Sequence, residues 1–110
     1  MVKNNLIYIH HILESMAHIE DFLKQVNELK FSQDKHWQNA FIREIQVIGE
    51  AARHISADFQ KQHSIIPWED IIGMRHKLVH DYFEIDLPLV WDVATIDIPR
   101  LKPLLEQLLQ

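Results

Sequence analysis

The chain has 110 residues, the size of a single domain with no length left for a second. Apolar residues make up 47% of it, enough for one core, while two glycines and four prolines are too few for the turns of an all-β chain. A formal net charge of −5 excludes generic nucleic-acid binding through an overall basic surface. Any nucleic-acid chemistry here needs a local basic pocket, or two of them joined by dimerisation.

The absence of cysteine removes disulfides and thiolate metal sites and fits a reducing cytosol. Met1-Val2-Lys3-Asn4-Asn5 lacks the charged-then-apolar-then-small plan of a signal peptide. No apolar run approaches the ~20 residues that span a bilayer. The expectation is a cytoplasmic domain over residues 1–110 with no membrane partner. Its eight histidines make the net charge sensitive to pH near about 6.5.

In chain order, Asn5 to Leu29 reads as one amphipathic helix, with Leu6, Ile9, Leu13, Met16, Ile19, Leu23 and Val26 at three- and four-residue steps. Asn4 or Asn5 caps its start, and His10, His11 and His18 lie on or beside its polar side. Lys30 to Lys35 is a short polar connection, with Ser32 or Asp34 as the next cap. A second long helix is predicted from Lys35 to Gln62, with Trp37, Phe41, Ile45, Ile48, Ala52, Ile55 and Phe59 as its apolar stripe. A more polar stripe carries Arg43, Val47, Glu50 and His54. Arg43 and Glu50, seven apart, reach each other or a shared groove, either as a solvated or intersubunit ion pair or in support of a site.

Pro67 suits the first turn of a third helix, and Glu69 and Asp70 suit its dipole. Gly73 inside that helix costs about 1 kcal/mol relative to alanine. So unhelpful a residue suggests close backbone approach by another helix, across a dimer axis for example. Pro88 opens a short fourth helix through Leu89, Val90, Trp91, Val93 and Ala94. Asp97-Ile98-Pro99 is a further cap-and-proline start, with Pro103 near the first turn and Leu101, Leu104, Leu105, Leu108 and Leu109 as the apolar face. The sum is an all-α, antiparallel bundle of four or five helices.

Polar chemistry concentrates in Met74 to Phe83, which holds Arg75, His76, His80, Asp81 and Tyr82. At about 100° per residue, Arg75 and Tyr82 share a direction on a continuing helix, but His80 lies about 140° round from Arg75. The three converge only if the helix unwinds near Asp81, if Arg75 uses its long stem, or if a second subunit completes the site. That makes a symmetric dimer attractive. The residue types suit metal-free phosphodiester cleavage: a histidine moves a proton at a ribose hydroxyl, and an arginine holds the phosphate bidentately. Two other readings compete. His76 and His80 are four apart, the spacing of zinc-binding helices, although Arg75 and Lys77 would repel a cation and no glutamate follows the first histidine. A structural reading has Tyr82 and Phe83 packing the bundle end while Arg75 pairs with an acidic neighbour.

The complete Arg75-x4-His80-x-Tyr82 pattern resembles the signature of the HepT toxins, a branch of the HEPN family of small α-helical domains. Ile42 to Ala52 is similar to the family's second-helix segment. Ile66 to Arg75 and Val90-Trp91-Asp92 are similar to the stretches around its third and fourth helices. The likeness runs over nearly the whole chain from about Leu6. Glu84 departs from it, standing where relatives often carry glycine. The resemblance implies a homodimer with paired motifs facing a cleft, and endoribonuclease activity that needs neither metal nor cofactor. Arg75 and His80 would be catalytic; a supporting role for Arg43 and Glu50 comes from their spacing alone. It further implies the toxin of a type VII toxin–antitoxin pair, whose minimal nucleotidyltransferase antitoxin transfers AMP from ATP onto Tyr82. The alternative is a non-catalytic helical dimerisation or nucleotide-binding module that partners such a nucleotidyltransferase.

Overall fold

Side-chain caps set where the helices begin. In the computed structural model, which describes residues 4–78 and 84–110, with Arg75 and Lys77 described by their backbone alone, Asn4 caps α1 (Asn5–Leu23) by accepting from the Ile7 amide. Asn27 caps α2 (Glu28–Gln33), accepting from Lys30 N at 2.9 Å, and Asp34 caps α3 (Lys35–Arg53), accepting from His36 N at 2.9 Å. Ser56 caps α4 (Ala57–Gln62) through Phe59 N at 3.2 Å.

Two of these caps interrupt helices that periodicity alone would have continued. The first helix ends at Leu23 instead of Leu29, because Asn27 adopts an extended backbone and takes the Lys30 amide for its side chain. The turn between them carries Val26 into the core, and Lys30 to Gln33 is helical where a connection was expected. The second helix stops at Arg53, since Ser56 is extended and starts α4. Asp34, one of the two proposed caps, does the capping; Ser32 lies inside α2 and its hydroxyl donates back to Leu29 O at 2.7 Å.

Helices α1 and α3 form an antiparallel hairpin. Tyr8 stacks on His54 near one end, His18 Nδ1 lies 3.2 Å from Glu44 Oε1 midway, and Phe22 meets Phe41 at the other end. Ile9, Ile12, Met16 and Ile19 of α1 face Phe41, Ile45, Ile48 and Ala52 of α3, all of them fully buried. The buried stripe of α1 is rotated from the expected one: Ile12 joins it, while Leu6 stays 43% exposed. Asn5 ties the open end shut, with its Nδ2 donating to Ser56 Oγ and its Oδ1 accepting from Ser56 N at 2.9 Å. Ser56→Ala removes the α4 cap and half of this link, so a loss of about 0.5–2 kcal/mol is expected in urea unfolding. An unchanged midpoint would show that the α1–α4 junction is held by apolar contacts alone.

The second half wraps this hairpin. Pro67 precedes α5 (Trp68–Ile72), and Gly73 ends it before α6 (Met74–Lys77). Gly73 is therefore a helix end instead of an interior residue, and a Cβ there would stand 3.1 Å from the Glu69 carbonyl oxygen of its own turn. Among the described residues no other helix crowds it. Trp68 is buried, and its indole N–H donates to His63 O at 3.1 Å.

Asp86 then caps α7 (Leu87–Asp92), where Pro88 sits in the first turn as expected. A single π turn over Val93–Asp97 joins it without a break to α8 (Ile98–Glu106), which tightens into a 3-10 turn at Gln107–Leu109. Asp97 thus does not cap a new helix; its backbone is helical and its carboxylate pairs with Arg100 at 3.6 Å. The π turn relieves Pro99, whose ring would clash with the carbonyl four residues back and which has no N–H to offer it. The Ile98 amide bonds instead to Val93 O. Pro103 lies inside α8, later than its expected first-turn place. Lys102 of this rod bonds Glu20 of α1, so the described residues close into an all-α bundle.

Candidate functional site

The polar stripe of α3 follows from its spacing. Seven residues are two turns less about 20°, so Arg43 and Glu50 stand nearly in line along the helix. They line one open groove of about 550 Å³ together with Gln46 and Val47. Their carboxylate and guanidinium are not each other's partner. Glu50 Oε1 accepts from Arg53 at 2.7 Å and lies 3.3 Å from His54 Nε2. The Arg53 hydrogen bond chiefly, then its charge and His54, hold the Glu50 carboxyl below the usual carboxylate range, against the opposing pull of burial. Glu50 is therefore an anion at neutral pH, suited to orienting cations and unsuited to donating a proton. Arg43 is exposed and makes no ion pair among the described residues.

Arg75 sits on α6, between the buried Met74 and Leu78, and α6 packs on α3, the helix that carries Arg43 and Glu50. This helix ends at Lys77, ahead of the unwinding expected near Asp81. The Asp86 amide donates to Leu78 O at 2.9 Å, so the described residues on either side of the motif's second half are joined. His80 and Tyr82, proposed as catalytic base or acid and as modification site, lie outside the described residues. His76 is exposed, and among the described residues no three His, Asp or Glu side chains converge as a metal-binding set.

A second hollow of about 200 Å³ adjoins the groove and shares Val47 and Glu50 with it. Its other walls are Tyr8, His11, Ala51 and His54. Tyr8 and His54 stack with ring centroids 5.4 Å apart and planes inclined by 19°, and His11 stands edge-on to Tyr8 at 6.4 Å. Sequence reasoning missed this pair. Tyr8 and His54 are brought together only by the register of the α1–α3 hairpin, which no local pattern announces.

No helix among the described residues is long and apolar enough to cross a membrane. No solved structure matches the chain. The profile of the family described as Ribonuclease HepT-like matches residues 12–108. A protein named probable ribonuclease HepT from Thermococcus cleftensis is 38% identical over 98% of this chain and 98% of its own length. A putative RNase of Caldanaerobacter subterraneus is 33% identical over 94% of this chain and 92% of its own. A protein of Methanocaldococcus jannaschii named gamma-glutamylcyclotransferase and putative RNase is 42% identical, but the chain spans only 46% of that relative's length. The matched region takes in α3, α6 and the whole Arg75–Tyr82 pattern, and on that footing the chain belongs to the HepT-like ribonuclease family.

Proposed function

We propose that this chain, as a single domain that pairs with a second copy, is a metal-independent endoribonuclease and the toxin of a type VII toxin–antitoxin pair. The observation that carries the reading is the family match over residues 12–108 together with a complete Arg75-x4-His80-x-Tyr82 motif. In this reading His80 takes the proton from a ribose 2′-hydroxyl as its oxygen attacks the phosphorus. The P–O5′ bond breaks, and the leaving 5′-oxygen receives a proton from the second subunit's histidine. Arg75 holds the phosphate and stabilises the charge that builds on it. Arg43 adds a cation in the neighbouring groove, and the ionised Glu50 orients the basic groups around it.

Tyr82 is the off-switch. A nucleotidyltransferase antitoxin would use ATP to place AMP on the phenol oxygen, with pyrophosphate leaving. The added phosphodiester brings bulk and negative charge, and both oppose entry of an RNA phosphate bound by Arg75.

The purified chain is expected to cut single-stranded RNA in the presence of EDTA, leaving 2′,3′-cyclic phosphate and 5′-hydroxyl ends. An uncut substrate, or cleavage that EDTA abolishes, would sink the mechanism. Co-expression with a cognate minimal nucleotidyltransferase should add one or more AMP masses to Tyr82 and silence the wild type. Tyr82→Phe should gain no mass and escape silencing; a silenced Tyr82→Phe would remove Tyr82 as the switch.

A further inference from the structure

The Tyr8–His54 stack has no part in the chemistry assigned to Arg75 and His80, yet it walls a hollow continuous with the Arg43 groove. We propose that this hollow is a nucleobase subsite, in which one unpaired base of the RNA substrate lies against the Tyr8–His54 aromatic wall while Arg43 holds a neighbouring phosphate. The proposal rests on the ribonuclease reading and extends it from the reacting phosphate to the flanking nucleotide.

Three observations support it. First, the wall is aromatic and accessible: Tyr8 is half-buried, His11 and His54 are exposed, and the hollow of about 200 Å³ is of the order of one planar heterocycle. Aromatic faces on which a base stacks, next to a cation that takes the backbone phosphate, hold single-stranded nucleic acid without reading its sequence. Second, charge is arranged in two zones along the trough. Glu50, on the shared wall, is bonded to Arg53 and His54, whereas Arg43 in the adjoining groove makes no ion pair among the described residues. A polyanion is therefore drawn to the Arg43 end, and its uncharged base to the aromatic end. Third, the wall is braced. The paired Asn5–Ser56 hydrogen bonds tie the start of α1 to the cap of α4, two residues beyond His54, and so favour the register in which the Tyr8 and His54 rings meet.

The test uses a fluorescein-labelled single-stranded RNA of about ten nucleotides and the same strand made abasic. Binding is read by anisotropy with the His80→Ala protein, and cleavage with the otherwise wild-type chain. Tyr8→Leu keeps apolar bulk and removes the π face; it is expected to weaken RNA binding and raise KM by about fivefold to a hundredfold, with kcat little changed. Tyr8→Phe should restore wild-type affinity, and the abasic strand should bind wild type and Tyr8→Leu alike. Ultraviolet crosslinking to the unaltered sequence, which needs no variant, should map to Tyr8 or His54. Equal RNA affinity for wild type and Tyr8→Leu overturns the proposal, as does a Tyr8→Leu defect confined to dimerisation or to antitoxin binding, or a crosslink only elsewhere. If the wild type binds RNA through Tyr8 but never cuts it, the subsite stands and the ribonuclease reading is what fails.

Discussion

Replacing His80 with alanine is expected to lower RNA cleavage by about 10²- to 10⁴-fold, the usual worth of a positioned proton-transfer group. Arg75→Ala should cost about 10²- to 10³-fold, because a transition-state phosphorane loses a charge-assisted, bidentate partner. Arg75→Lys should recover only part of that, since an ammonium keeps the charge and not the planar fork. The double substitution should cost little more than the worse single one, as groups that serve one transition state are not additive. In cells lacking the antitoxin, the wild type should arrest growth and degrade RNA while both alanine variants do not. If all three behave alike and keep the helical circular dichroism of the wild type, the catalytic assignment is wrong and the partner-binding module is right. With one histidine acting as base and its counterpart as acid, the wild-type rate should also show a bell-shaped pH profile.

Much of the bundle could be read from periodicity. Phe41, Ile45, Ile48, Ala52 and Ile55 repeat at helical steps, and all of them are buried. What periodicity does not register is competition for backbone amides. Asn27 and Ser56 sit in runs that look helical, and each ends the run by turning its own backbone extended and capturing an amide three residues on. The reverse error occurs at Asp97, which has the residue type of a cap but lies in a continuous rod, because a π turn accommodates Pro99 without a new helix start.

The candidate site divides along the same line. Arg43 and Glu50 share a groove because seven residues on one helix is a local relation that sequence expresses directly. Two partners of Glu50 among the described residues, Arg53 and His54, are local too, at three and four residues, and the same spacing argument could have found them. Tyr8 against His54 is a tertiary relation, fixed by which turn of α1 faces which turn of α3. The packed faces of the two helices and the paired hydrogen bonds between Asn5 and Ser56 hold that register, and a single sequence carries no mark of it.

Phe41→Ala should be the most damaging substitution to the fold, costing about 3–5 kcal/mol. Phe41 is fully buried, and four rings from three other places in the chain and its own helix surround it. Phe31 of α2 lies at 4.9 Å, Phe22 of α1 at 5.4 Å, Trp91 of α7 at 5.9 Å and Trp37 of α3 at 6.4 Å, measured between ring centroids. Alanine would leave a cavity these rings fill poorly, since Phe31 is itself held against Trp91 at 5.3 Å and Phe22 against Trp37 at 5.6 Å. A domain of this size has a total stability of about 5–15 kcal/mol, so the loss takes a large share of it. The melting temperature should fall by more than about 10 °C, and Phe41→Leu by clearly less. A fall of only a degree or two would mean that the aromatic cluster collapses freely around the gap. The contrast with His80→Ala separates folding from chemistry. Cooled well below its own melting point, Phe41→Ala should regain RNA cleavage, because α3 again presents Arg43 and Glu50 on one line, whereas His80→Ala should stay inactive at every temperature at which it is folded.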